Sequence, residues 1–252
     1  MRTNERMSKT GPDMCCNRSR RAASARVLVV GGSREPSSPA LVAQLAALAD
    51  AVVAVDRGLD VLLAAELGCD LFCGDADSVS EKGAALVRDA ETREREGVDG
   101  ACAVDESPFV AEVECYNPHK DDTDLSLSLR TIEKRWPESE LICTCLSGGH
   151  PDHALAVLGR LMAWNGSVSL EEDSFSAKIL HAGDIWDIED CAGSRFSFIP
   201  LSPEVIVSEE GMTWTLDHAH VPLLSDLGIS NVLDSRARII CHDGTLVAYV
   251  FR

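Results

Sequence analysis

Residues 26–33 read "RVLVVGGS", a short apolar run without polar interruption that ends on two glycines. A strand with one wet face alternates polar and apolar residues, whereas an unbroken run suits a strand covered on both faces, as in the middle of a parallel sheet. Two similar runs follow, "AVVAVD" at 51–56 and "CDLFCGD" at 69–75. Between the first two, Ser38 and Pro39 supply an N-cap and a first helical residue, and Leu41, Leu45 and Leu48 share one helical face. Between the second and third, Leu59, Leu62, Leu63 and Leu67 predict another helix, with Gly68 as its C-cap. Strand, helix, strand, helix, strand implies a parallel sheet flanked by helices.

Further along, Ser80 to Arg95 reads as a helix, and the charged, Gly- and Pro-containing stretch after it as a surface loop or insertion. "DDTDLSLSLR" alternates like a strand at Leu125, Leu127 and Leu129. Yet Leu125, Leu129, Ile132 and Trp136 form one longer helical stripe, which predicts a helix from Asp122 to Trp136. "ELICTCLSGGH" is another buried strand, and Pro151 opens a helix with Leu155, Leu158 and Met162 facing inward.

After Trp164 helical periodicity stops. "SFSAKIL", "RFSFIPL", "EVIVSEE", "MTWTLDH" and "RIICHDGTLVAYVFR" are short alternating segments, and Asp243-Gly244 signals a two-residue hairpin. The fold expected is therefore α/β: an N-terminal parallel-sheet domain, which the resemblance given below implies is nucleotide-binding, followed by a C-terminal antiparallel β-sandwich. The expected boundaries are a disordered basic tail at 1–26, an α/β domain at 27–166 with an insertion at 88–112, and a sandwich at 167–252.

Composition narrows the function. A net charge of -18 argues against a general nucleic-acid surface, which needs clustered Lys and Arg. No apolar run reaches the roughly 20 residues of a membrane span. The ten cysteines are scattered, and Cys143, Cys145 and Cys241 sit inside apolar strands, so free thiols in a reducing, cytoplasmic setting are expected. Residues 1–26 hold seven Arg or Lys against two acids, which also describes a mitochondrial leader, although Gly11-Pro12 interrupts any amphipathic helix there.

Three loops fall at the C-terminal ends of predicted parallel strands: Asp75-Ala76-Asp77, the Asp121 to Asp124 cluster, and Ser147 to His153. In open α/β sheets that edge is where ligands bind. Converging carboxylates repel one another unless a cation lies among them, and hard oxygen ligands without histidine suit Mg²⁺ shared with phosphates. The plainer alternative is that Asp121 or Thr123 caps a helix and Asp75-Asp77 is a solvated turn. "LSGGHPDH" adds bare backbone N–H groups at a helix start, a place for phosphate. No Walker loop and no complete Gly-x-Gly-x-x-Gly is present.

Taken in order, "VDRG" (55–58), "GDADS" (74–78), "KDDTD" (120–124), "GGHPDH" (148–153), "GMTWTL" (211–216) and "SN" (230–231) resemble the thiamine pyrophosphokinase (thiamine diphosphokinase) family. The resemblance implies a homodimer that uses ATP and Mg²⁺ to convert thiamine to thiamine diphosphate, releasing AMP. It implies that Asp75, Asp77, Asp121 and Asp124 hold magnesium, with Asp152 acting near the same phosphates. It assigns ATP contacts to Asp56, Ser78, Lys120, Thr123, Ser147, Gly148, Gly149 and His150, and thiamine contacts to Trp214, Ser230 and Asn231. Two positions depart from the family pattern: His150 stands where Gly-Gly-Arg is usual, and Arg57 interrupts Val-Asp-Gly-Gly, where it offers a compensating cation. The long separation of the two aspartate motifs is a third departure. The same carboxylate edge would also serve a metal-dependent hydrolase of nucleotides or thiamine phosphates, and a non-catalytic thiamine or nucleotide sensor would keep the fold without turnover.

Overall fold

A computed structural model describes residues 24–97, 109–116 and 122–252. Residues 1–23 of the expected basic tail, residues 98–108 of the expected insertion, and Lys120 and Asp121 lie outside the described residues. The chain runs β1 (Arg26–Val30), α1 (Pro39–Ala46), β2 (Ala51–Val55), α2 (Gly58–Ala64), β3 (Cys69–Gly74), α3 (Glu81–Glu96), β4 (Val110–Cys115), α4 (Asp124–Arg135), β5 (Glu140–Thr144) and α5 (Pro151–Leu161). Strands follow: β6 (Val168–Glu172), β7 (Phe175–His181), β8 (Ile185–Glu189), β9 (Arg195–Pro200), β10 (Glu204–Met212), β11 (Leu216–Pro222), β12 (Asn231–Asp243) and β13 (Thr245–Phe251).

The first six strands form a parallel sheet in the order β4-β3-β2-β1-β5-β6. Both faces are covered, which explains the unbroken apolar runs. Val27 and Val29 of β1 face the core that Leu125, Leu129 and Ile132 of α4 enter, while Leu28 and Val30 face α1, α2 and α3. β4 is the edge strand, in a stretch expected to be loop. Its exposed Glu112 and half-buried Glu114 make it too polar to read as a strand, and an edge position tolerates that.

β6 pairs parallel with β5 and antiparallel with β7, so the sheet passes without a break into an antiparallel part. There β7, β13 and β9 present Leu180, Leu246 and Phe198 to a separate core shared with β8, β10, β11 and β12. The long β12 bonds β9 at Asn231 and Val232 and then runs with β8 and β10. Asp243-Gly244 is not a hairpin: β12 pairs with β8, β9 and β10, and β13 with β7 and β9. Gly244 is needed all the same, at φ 81° and with Glu204 O 2.4 Å from where a Cβ would sit, because this tight corner sends the chain between the two layers. "MTWTLDH" is likewise not one strand, since β10 ends at Met212 and β11 starts at Leu216.

The helix ends follow their caps. Ser38, Ser80 and Thr123 accept N-terminal amides of α1, α3 and α4, and Gly97 closes α3 in the left-handed region. α2 stops before Gly68 because Glu66 takes the left-handed turn at φ 58°. Two helical faces differ from expectation at one residue each. In α1 Leu41 and Leu45 pack inward while Leu48, beyond the helix end, is 52% exposed, and in α5 Leu158 and Met162 pack against the core while Leu155 is 59% exposed.

Candidate active site

Beyond β1 the chain turns toward β2, and beyond β5 toward β6, on opposite sides of the β1–β5 pair. The two loops leaving this point, 31–38 and 145–150, part company and open a crevice at the carboxyl ends of the strands. A cavity of about 780 Å³ lies there, lined by Ser33, Asp56, Ser78, Thr123, Asp124 and the loop from Cys145 to His150. One side is a face of α5, with Asp152, His153, Ala156, Val157 and Arg160 at helical spacing.

Two of the four expected carboxylates, Asp75 and Asp77, gather with Asp56, whereas Asp124 is not part of this cluster and Asp121 lies outside the described residues. Asp56, Asp75 and Asp77 each place a carboxylate oxygen within 4.8 Å of the others. Asp56, assigned from sequence to nucleotide binding, thus joins the acidic pair and connects it to the cavity, which it also lines. Local backbone geometry produces this. Asp56 sits just past β2 at φ 48°, its N–H bonded to Cys73 O at 2.9 Å, and Ala76 is also left-handed at φ 60°. The Asp75 carboxylate accepts from the Asp77 N–H at 3.2 Å, and Ser78 donates to Asp56 Oδ2. Asp56 Oδ1 is buried without a hydrogen-bond partner. Burial pushes the Asp56 carboxyl above its usual range, against the Ser78 and Arg57 hydrogen bonds, and the charges of Asp124 and Asp75 push it the same way. Asp124, at the first turn of α4, is therefore near enough to be felt by Asp56. Thr123 caps α4 through its hydroxyl, so its side chain has a structural duty while the residue lines the cavity.

The glycine loop departs from expectation at Ser147. Its N–H and hydroxyl both donate to Glu172, at 3.2 and 2.8 Å, instead of pointing into the cavity. Glu172, 4% exposed at the end of β6, also accepts from the N–H groups of Cys145 and Leu146 and from the Ser37 hydroxyl. An internal carboxylate fills the place of an anion and fixes the loop. Gly148 and Gly149 follow at φ 86° and 71°, and no atom lies within 4 Å of a Cβ built on Gly149, so the cavity side is open to a ligand. His150 is the N-cap residue of α5, with no side-chain cap bond. Sequence reading missed Glu172, which has no motif around it, and Arg34 and Arg160. These two line the cavity with Arg57, and Arg160 lies 3.4 Å from Asp122. Arg160 falls eight residues after Asp152, on the same helical face, a spacing that would have singled it out.

Trp214, Ser230 and Asn231 come together away from this cavity, whose lining includes none of them. Asn231 is buried and bonds the Trp214 backbone through both ends of its amide, while Trp214 itself is 61% exposed. Gly211 permits the turn: a Cβ there would sit 1.9 Å from Arg236 O.

Two family models match the chain, one over each of these parts of the sequence. Residues 42–170 match the model of the thiamin pyrophosphokinase catalytic domain, and residues 187–246 that of the thiamin pyrophosphokinase vitamin B1 binding domain. The chain belongs to the thiamin pyrophosphokinase family. It is an enzyme, a thiamine diphosphokinase. Among solved structures, a thiamin pyrophosphokinase family protein from Enterococcus faecalis is similar at TM-score 0.69 and 22% identity, covering 90% of this chain and 99% of its own. The thiamine pyrophosphokinase of Bacillus subtilis gives TM-score 0.67 at 23% identity, covering 90% and 98%. That of Candida albicans gives 0.69 at 14%, covering 90% and 89%. These likenesses show the shared mixed α/β fold. No curated protein sequence matches the chain. No helix among the described residues is long and apolar enough to cross a membrane.

Proposed function

We propose that this chain moves a diphosphate from ATP to the hydroxyl of thiamine, with Mg²⁺ at the carboxylates, giving thiamine diphosphate and AMP. The observation that carries the reading is the convergence of Asp56, Asp75 and Asp77 beside a cavity walled by two glycines and a helix start. Magnesium fits the donors: all are hard carboxylate oxygens, no histidine is among them, and Asp56 Oδ1 is buried without a hydrogen-bond partner. Asp56, Asp75 and Asp77 would hold it, with Asp124 near them and Asp121, which lies outside the described residues, as a further candidate ligand; bound there, it would neutralise phosphoryl oxygens and align the reacting groups.

The chain's own groups do the rest. The N–H groups of Gly148 and Gly149 and the N-terminal end of α5 receive phosphate oxygens. Arg34, Arg57 and Arg160 line the cavity and supply the positive charge that His150 lacks when neutral. Lys120, Ser78 and Thr123 complete the nucleotide contacts, and Asp152 lies on the cavity face of α5. The thiamine hydroxyl oxygen forms a bond to the β-phosphorus as the bond from that phosphorus to the α-bridging oxygen breaks. An acidic side chain takes the hydroxyl proton, and AMP leaves. Positioning and electrostatics supply most of the acceleration.

Trp214, Ser230 and Asn231 form the thiamine side, in a C-terminal β domain (167–252) that follows the nucleotide-binding domain (27–166). Because the cavity of the same chain contains none of the three, we assign the working unit as a homodimer in which a second copy brings its Trp214 to the cavity. Exposed Leu223, Leu224, Leu227 and Ile229 near that turn supply an apolar surface for such contact. The unpaired thiols among the described residues support a cytoplasmic setting.

Incubating the chain with ATP, Mg²⁺ and thiamine and reading product masses tests this directly. Thiamine diphosphate and AMP should appear together, only when thiamine is present. Nucleotide breakdown without thiamine would identify a hydrolase, and thiamine binding without product a sensor.

A further inference from the structure

One buried acid holds the Trp214 turn. Asn231 Oδ1 accepts from the N–H groups of Trp214, at 3.1 Å, and Val232, at 2.9 Å. Its Nδ2 donates to Trp214 O at 2.7 Å and to Glu209 Oε2 at 3.2 Å. The amide therefore has its donors and acceptors engaged and only one sensible orientation. Glu209 is 2% exposed, in β10 between Val207 and Met212, which both enter the core of this domain. The ladder puts Leu216 and Ile239 opposite it, and its Oε1 has no hydrogen-bond partner. An apolar residue would suit stability better in such a place, since a buried carboxylate with an unsatisfied oxygen costs free energy. What the carboxylate contributes is the bond to Asn231.

We propose that Glu209 is a positioning residue for thiamine: it fixes the Asn231 amide and, through it, the backbone of the turn that presents Trp214. The indole is 61% exposed and so takes its direction from that backbone rather than from packing within its own chain. The proposal rests on the reading that Trp214 contacts thiamine. Around Glu209, the charged positions are Glu210, which faces Arg238 across the ladder, and Asp217 next to Leu216 on β11, all exposed. The core it borders contributes Phe196, Phe198 and Ala248.

Steady-state kinetics on the full-length dimer test this with Glu209→Leu, Glu209→Gln and Trp214→Ala. Glu209→Leu should raise the thiamine KM about tenfold, as expected for one lost hydrogen bond to a charged group, with ATP KM and kcat within about twofold of wild type. Glu209→Gln, whose carbonyl accepts the same bond, should restore the thiamine KM to within about twofold. An unchanged thiamine KM in Glu209→Leu, with Trp214→Ala raising it, overturns the role of Glu209 alone. No effect of Trp214→Ala removes thiamine from this turn and overturns both readings. Equal loss in kcat and both KM values would reduce Glu209 to a structural residue and also overturn the proposal. Should Glu209→Leu not fold, Glu209→Asp decides: one methylene shorter, its carboxylate is drawn back from Asn231, so the thiamine KM should rise about tenfold with the ATP KM within about twofold of wild type, and an unchanged thiamine KM refutes the assignment.

Discussion

Asp56 illustrates how little of a site one residue reveals about itself. In sequence it ends a strand; in space its left-handed φ of 48° swings its carboxyl beside Asp75 and Asp77. Asp75→Asn and Asp124→Asn should each lower turnover roughly 100-fold or more while circular dichroism stays that of wild type. Near-normal rates in both would remove them from the site. Glu209 makes a different prediction, about stability. Burial raises its carboxyl from 4.5 to about 7, opposed in part by the Asn231 hydrogen bond. The unfolded chain releases this proton first as pH rises, so the folded state binds more protons between about 4.5 and 7, and stability falls across that window. The penalty is fully present above about pH 7 and is on the order of 3 kcal/mol. Denaturant midpoints measured from pH 5 to 8 should show this fall in the wild type and a flatter profile in Glu209→Gln; parallel profiles would refute it. The paired aspartates were legible because like charges after a buried strand call for an explanation. Glu209 and Glu172 were not, because an isolated acid in a strand carries no sign of what surrounds it.

At the scale of elements, caps and periodicity predicted well where the helix is a layer on the sheet. The stripe of α4 is the clearest case: Leu129 is 7% exposed and Ile132 fully buried. Leu129→Ala should cost about 2–5 kcal/mol in chemical denaturation. Leu155→Ala on α5 should cost under about 0.5 kcal/mol, though sequence periodicity puts Leu155 inside. A large effect at Leu155 would mean that its exposed face is covered in solution. α5 follows the rule in part: Leu158 and Met162 pack against the core beside Leu161, whereas Leu155 belongs neither to that core nor to the cavity lining. β4 and β8 were missed for the opposite reason. β4 has a polar edge, and Ile188 alone of β8 is buried, so neither shows the alternation that identifies a strand.

For the molecule as a whole, the cavity and the Trp214 turn of one chain are separate, and the proposed dimer would bring them together. Mixing Asp75→Asn with Trp214→Ala chains, each nearly inactive, and allowing subunits to exchange should restore about a quarter of wild-type activity, because half the dimers then carry one intact site of two. No recovery on mixing would place the whole site within one chain. By itself the sequence determined the alternation of strands and helices, the parallel sheet and the positions of the acidic and glycine motifs, since hydrophobic period, caps and short-range turn chemistry are local properties. Only the tertiary structure decided that the sheet continues through β6, that Asp243-Gly244 turns between layers, and that Glu172 rather than a ligand occupies the amides of residues 145–147. Those outcomes depend on which distant segments share hydrogen bonds and exclude water, and no window along the chain contains that information.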